Sequence, residues 1–277
     1  MCQDRNDRMA VGISLIKLFE VKQMKTRRLG WTALVFIVIC VVSCTANLEV
    51  RKKQEVASRN LGEAYLRKGD YTSALREFLK AETLYSDDPY LQNDIGLTYM
   101  GKKKLDLAVK HFKKAIQIKP DFAPAMNNLG TAYIAKKEWD TAIAYFKEVS
   151  NNLLYTTPHF PLSNLGWAYY NKKDYALAEK YYLDALMIEP KFINAQLGLG
   201  QTYIAMGRIP EAVATLKKAI DIYPRFAQLY LELAKAYTLS RDYKKALAAY
   251  NKIAELVPGS PIAQEAERKA QGIRNLR

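Results

Sequence analysis

The sequence predicts an all-α solenoid: six helix–turn–helix units in tandem, closed by one further helix. Three recurrences carry this expectation. A small residue returns at Gly62, Gly96, Gly130, Gly166, Gly200 and Ala234, with spacings of 34, 34, 36, 34 and 34 residues. A tyrosine follows each of them by three positions: Tyr65, Tyr99, Tyr133, Tyr169, Tyr203 and Tyr237. An alanine follows each by twelve positions, from Ala74 through Ala108, Ala142, Ala178 and Ala212 to Ala246, and a large side chain stands four further on. Self-similarity at a period of 20–50 residues marks a repeat architecture, in which no unit buries its apolar face alone and stacking builds the core.

The elements follow in chain order. Residues 1–43 form a leader and 44–54 a tether. The units span 55–88, 89–122, 123–158, 159–192, 193–226 and 227–260, and 261–277 is a capping helix. Within a unit, the glycine lets the first helix approach the second closely, and the alanine of the second helix serves the same purpose. Tyr71, Trp139, Tyr175 and Tyr243 open second helices and fill gaps between layers. Pro120, Pro190, Pro224 and Pro258 mark unit ends, because proline cannot continue a helix. The two extra residues of the third unit fall around Tyr155–Pro158. In the closing helix Ile262, Ala266, Ala270 and Ile273 recur at helical spacing, with charged residues outside them. This gives the open end of a solenoid the polar lid it needs.

The leader has its own pattern. Lys25-Thr26-Arg27-Arg28 precedes an uncharged run from Leu29 to Leu48, whose most apolar part is Leu34–Val42. A positive stretch followed by an apolar one is the layout of a secretory signal, with Met24 as its natural start. Twenty uncharged residues also suffice to cross a bilayer, so an uncleaved inner-membrane anchor stays open as the alternative. The chain carries +14 in all. Seven Lys and Arg against three Asp and Glu before residue 44 account for +4 of it, and the body holds the rest.

The body resembles the tetratricopeptide repeat from about Glu55 to Ser260. That resemblance implies a right-handed superhelix whose first helices line a concave groove for a peptide or helix. Residues expected to face the groove are Tyr90, Asn93, Leu97 and Met100; Asn127, Thr131 and Ile134; Phe160, Trp167 and Tyr170; Asn194 and Gln201. Aromatic and aliphatic side chains interleaved with amides suit a guest with apolar anchors and a polar edge. Asn127 and Asn194 are expected to bond the guest's main chain, and Phe160, Trp167 and Tyr170 to form one cluster. Some members clamp a C-terminal carboxylate. Here Arg59 fits such a clamp, but Glu63, Asp94 and Pro124 do not, which disfavours it.

Val41-Val42-Ser43-Cys44 resembles the lipobox of bacterial lipoproteins. The resemblance implies that Cys44 carries lipid and becomes the first residue of the mature chain. Thr45 after it implies the outer membrane, with the body facing the periplasm.

The turns inside the units are cationic: Arg67 and Lys68; Lys102, Lys103 and Lys104; Lys136 and Lys137; Lys172 and Lys173; Arg208; Arg241. Stacking aligns them into a basic rim, suited to anionic lipid, an acidic partner or the wall. Nucleic acid is not an expected partner, since no base-stacking motif accompanies the charge. No phosphate-cradling loop, nucleophile–base set or paired metal ligands appear in the sequence, and His111 and His159 lie far apart. No enzyme, cofactor, metal or small-molecule substrate is therefore expected. The architecture of lipobox, tether, six units and terminal helix resembles the type IV pilus pilotin family, whose members bind a secretin subunit. Other periplasmic adaptors, in envelope or exopolysaccharide assembly, and a wall-associated structural lipoprotein are the alternatives.

Overall fold

The computed structural model describes residues 48–152 and 155–275. Cys44 and the leader lie outside the described residues. The described chain is a succession of helices. A helix over residues 48–67, α1, is followed by α2 (Tyr71–Leu84), α3 (Pro89–Gly101), α4 (Leu105–Ile118), α5 (Ala123–Ala135), α6 (Trp139–Ser150) and α7 (His159–Asn171). Then come α8 (Tyr175–Ile188), α9 (Ile193–Ala205), α10 (Ile209–Ile222), α11 (Ala227–Leu239), α12 (Tyr243–Leu256) and α13 (Pro261–Arg274). Helix α1 runs through residues 48–54, so that stretch of the tether is continuous with the first unit.

The close approach of the two helices that the recurrent glycine predicts is visible atom by atom. A Cβ added at Gly62, Gly96 or Gly130 would lie 2.6, 2.5 or 2.6 Å from Phe78, Phe112 or Phe146 respectively. At Gly166 and Gly200 it would meet Tyr182 and Leu216 at 2.8 and 2.7 Å. Ala74, Ala108, Ala142, Ala178, Ala212 and Ala246 are all fully buried against the first helices. The recurrent tyrosines have a second use. Tyr133 stacks on Tyr145 and Tyr169 on Tyr181, at 5.8 and 5.4 Å between ring centres, and Tyr99 stacks on His111 in the same way at 5.4 Å. Each pair joins the two helices of one unit at its turn.

Every helix from α2 to α13 packs on its sequence neighbours. The first helices of adjacent units also touch (α3–α5, α5–α7, α7–α9, α9–α11, α11–α13), whereas among the described helices no two second helices do. First helices therefore crowd one face and second helices splay on the other, which makes the first-helix face the concave one. The third unit departs from the rest. Helix α6 has 12 residues where the other second helices have 14, and its loop to α7 is correspondingly longer.

Turn geometry is uniform despite variable sequence. Lys103, Lys137, Lys173 and Arg241 have φ of 58°, 63°, 64° and 59°, and glycine holds the equivalent place at Gly69 and Gly207. The backbone there is left-handed, so a non-glycine residue is held against its preference. In the second unit Lys104 N–H reaches back to Tyr99 C=O at 2.9 Å and Lys103 N–H to Met100 C=O at 2.9 Å, closing the first helix.

Candidate binding groove

The concave face is built from the first helices, and polar steps cross it from one unit to the next. Asn128 Nδ2 donates to Asn93 Oδ1 at 2.9 Å, and one unit later Asn164 Nδ2 donates to Asn127 Oδ1 at 3.2 Å. Further on, Gln201 and Gln228 donate to Glu232 Oε1 at 3.1 and 3.2 Å, and Lys235 Nζ lies 2.9 Å from the same oxygen. Glu232 is thus buried with three donors on a single oxygen.

The structure sorts the expected groove residues. Tyr90 is exposed, with Arg59 over its ring at 5.5 Å, Lys119 at 5.6 Å and Phe122 edge-on at 4.9 Å. Asn93 is buried and its oxygen is taken by Asn128, so it is a joint between units rather than an open contact. Thr131 gives its hydroxyl to Asn127 C=O, 3.0 Å away in its own helix. Leu97, Met100, Ile134 and Tyr170 are half-buried and pack on the central core. Asn127 is half-buried and already holds Asn164, while Asn194 is exposed.

The expected aromatic cluster divides in two. Phe160 packs with His159 and Phe192, at 4.4 to 5.2 Å between ring centres. Trp167 stacks on Tyr170 at 5.7 Å and 9°, and Tyr170 tilts against Tyr175. The reason is helical geometry: Phe160 and Trp167 lie seven residues apart, about two turns or 10 Å along one helix.

Trp167, Asn194 and Gln201 do come together, around a concavity of ≈ 290 Å³ between α7, α9 and α11. Sequence reasoning missed Ser163, Asn164, Leu197, Gly198, Gln228 and the floor residue Tyr182, which complete it. The signal was present in Gly198, a glycine two positions off the repeat register.

The amino end of the groove is charged instead. Arg59 pairs with Asp88 and lies 3.5 Å from Glu63, with Glu55 and Asp94 beside them. Burial, with the charge of Asp88 adding to it, pushes the Glu55 carboxyl up to about 7. Burial and the neighbouring Glu63 push Asp94 up to about 7 as well.

The rim is more nearly neutral than its cations suggested. Lys136 reaches Asp106 and Glu138 at 3.1 Å each, Lys172 pairs with Asp140, and Arg208 holds Glu179 and Glu211 at 2.9 Å. Lys102 donates to Thr72 at 3.0 Å. The contacts to Asp106, Asp140, Glu179 and Thr72 tie a unit's turn to the second helix of the unit before it, while those to Glu138 and Glu211 stay within the unit. Lys68, Lys103, Lys104, Lys137, Lys173 and Arg241 make no ion pair among the described residues. Among those residues, too, no group of three His, Cys, Asp or Glu is placed to hold a metal, and no helix is long and apolar enough to cross a membrane.

A stack of helix pairs with a concave face of first helices defines an α-solenoid repeat protein. Family models described as "Tetratricopeptide repeat" match residues 49–89 and 197–261, 170–219 and 125–157, and one described as "TPR repeat" matches 96–137. The chain belongs to the tetratricopeptide-repeat proteins. Among curated proteins it is similar to anaphase-promoting complex subunit 3 of Schizosaccharomyces pombe, 29% identical over 90 residues. That match covers 32% of this chain and only 14% of the relative's length. Among solved structures it resembles PilW, a widely conserved type IV pilus biogenesis factor, with TM-score 0.71 and 23% identity over 76% of this chain and 97% of that one. It also resembles PilF of Pseudomonas aeruginosa, with TM-score 0.66 and 20% identity over 79% and 99%. At these identities the likeness is one of fold.

Proposed function

We propose that this chain is a non-enzymatic scaffold that holds a segment of a protein partner in its concave face. The observation that carries this reading is the groove itself: exposed Tyr90, Phe160 and Trp167 alternate with amides on one continuous surface of first helices. Aromatic anchors flanked by hydrogen-bonding groups are what protein recognition uses most heavily.

The finer reading is a pilotin-like assembly factor for type IV pilus or secretin biogenesis. It is lipid-anchored through Cys44 at the outer membrane and faces the periplasm. Its support is twofold: the lipobox-like run ending at Cys44, and a fold that matches PilW and PilF over nearly their whole lengths. A deletion strain of the source bacterium tests it. Loss of surface pili with unassembled secretin monomers is the expected phenotype, and normal pili would reject the pilus role. Palmitate labelling of the wild-type chain, lost in Cys44→Ser, is the expected result for the anchor. Labelling that persists in that variant removes it.

A further inference from the structure

The polar steps along the groove stop at one place, and the stop is built. After Asn93–Asn128 and Asn127–Asn164, the next step would join Ser163 to residue 198, which is glycine. Gly198 is not the packing glycine of its unit; that is Gly200, two residues on. A Cβ at 198 would stand 2.2 Å from Tyr182 Cζ and 2.5 Å from its hydroxyl oxygen. Three other units place phenylalanine where Tyr182 stands (Phe78, Phe112, Phe146), the fifth places Leu216, and the sixth again places a tyrosine, Tyr250. A ring with a hydroxyl on α8 thus meets a missing side chain on α9 that lets the ring through. The Tyr182 hydroxyl makes no hydrogen bond among the described residues, and Tyr182 and Gly198 both line the 290 Å³ concavity.

We propose that this notch is a side-chain pocket of the groove, and that it takes one uncharged aromatic side chain with a polar tip, tyrosine foremost, from an extended segment of the partner. The proposal rests on the scaffold reading above. Trp167 supplies a flat wall, its indole already backed by Tyr170, and offset ring pairs are favourable beyond their buried area. The remaining lining is uncharged: Leu197 is apolar, and Ser163, Asn164, Asn194, Gln201 and Gln228 are polar. A charged guest would shed its hydration there with no counter-charge to meet. The nearby Glu232 is spent on Gln201, Gln228 and Lys235. An aliphatic guest would cover the Tyr182 hydroxyl and the amides without bonding them, which also costs. A phenol or indole satisfies both halves of the lining.

The test titrates the full chain with N-acetyl-tyrosine amide and its phenylalanine, leucine and glutamate counterparts. The readout is the indole N–H signal of Trp167 in a ¹H–¹⁵N spectrum, assigned with Trp167→Phe. A saturable shift is expected with the tyrosine probe. The phenylalanine probe should bind roughly 2–10-fold more weakly, for one lost hydrogen bond, and leucine and glutamate should leave the signal in place. Closing the notch with G198N and Y182L together, residue types the neighbouring units use at these places, should abolish the shift while the helical melt is retained. Should that double variant not fold, Tyr182→Phe alone is expected to erase the preference for tyrosine over phenylalanine. No saturable shift, an equal shift with leucine, or an unchanged preference in Tyr182→Phe overturns the pocket. Selection from a random decapeptide library separates this from the wider reading. Groove-binding peptides with no aromatic preference, equally held by the closed variant, overturn the pocket and leave the scaffold standing. A probe-induced shift without any selected peptide argues against the scaffold instead.

Discussion

The two ends of the groove's first stretch are held together by opposite means. Between α1 and α3 the joint is ionic: one guanidinium, Arg59, faces Asp88, Glu63, Glu55 and Asp94. Between α5 and α7 the joint is neutral, a single amide–amide bond from Asn164 to Asn127. Arg59 and Asn127 occupy equivalent places in the repeat, yet the two joints are expected to fail differently. Buried ions punish the loss of a partner, because the remaining charge stays out of water. Half-buried amides do not, because water replaces the lost partner at little cost.

The sharpest way to break this comparison is Arg59→Met. It leaves the carboxylates at the amino end facing one another with no cation. A loss of about 3 kcal/mol in chemical denaturation is expected, within the range for orphaning one side of a buried pair. Because stability in stacked repeats is carried by nearest-neighbour interfaces, the loss should appear as early fraying of α1 and α2. Hydrogen exchange would show this as faster exchange of their amides, with α9 to α13 unaffected. A loss below about 1 kcal/mol would mean the ionic joint behaves like an exposed surface pair.

The second prediction uses pH. Glu55 and Asp94 hold protons in the folded chain up to about pH 7, whereas their ordinary values are 4.5 and 3.8. Between those limits the folded state binds more protons than the unfolded one, so stability falls as pH rises and is level above about 7. His111 acts the other way: burial lowers its pKa, so its contribution grows as pH rises toward 6.5. The diagnostic is therefore a difference between variants. Glu55→Gln should remove part of the decline between pH 5 and pH 8, on the order of 1–2 kcal/mol. Parallel melting curves for both proteins across that range would reject the protonated carboxyl.

Much of this was legible in the sequence, for a physical reason. A small residue that must clear a ring recurs wherever the same two helices meet, so Gly62 and Phe78 reappear as Gly96 and Phe112. Position in the repeat therefore assigned Tyr90, Trp167, Asn194 and Gln201 to first helices. What the period did not reveal were contacts made by exceptions to it. Asn93 looked open because its partner, Asn128, belongs to the next unit at a neighbouring position. Phe160 and Trp167 looked like one cluster because chain proximity hides two turns of helix. The rim looked bare because Asp106, Asp140 and Glu179 sit on second helices one unit back. Gly198 carried the clearest signal, since every other unit has a polar side chain at that place, and Tyr182 is the ring that fills the space it leaves.

The smallest expected effect belongs to the neutral joint, and it sharpens the comparison most directly. Asn164→Ala removes the donor to Asn127 Oδ1 but leaves that oxygen half-buried and open to water. One hydrogen bond of this kind contributes about 1 kcal/mol, and the loss here should not exceed it. Combining Asn164→Ala with Asn127→Ala should then cost little more than either change alone, because each removes the same bond. The matching cycle at Arg59 and Asp88 should behave otherwise. Removing Asp88 as well should return part of what Arg59→Met lost, since one of the stranded carboxylates goes with it. If the two cycles give equal coupling energies, charge adds nothing to the joint between α1 and α3. The difference between the two ends of the groove would then be one of sequence without consequence for stability.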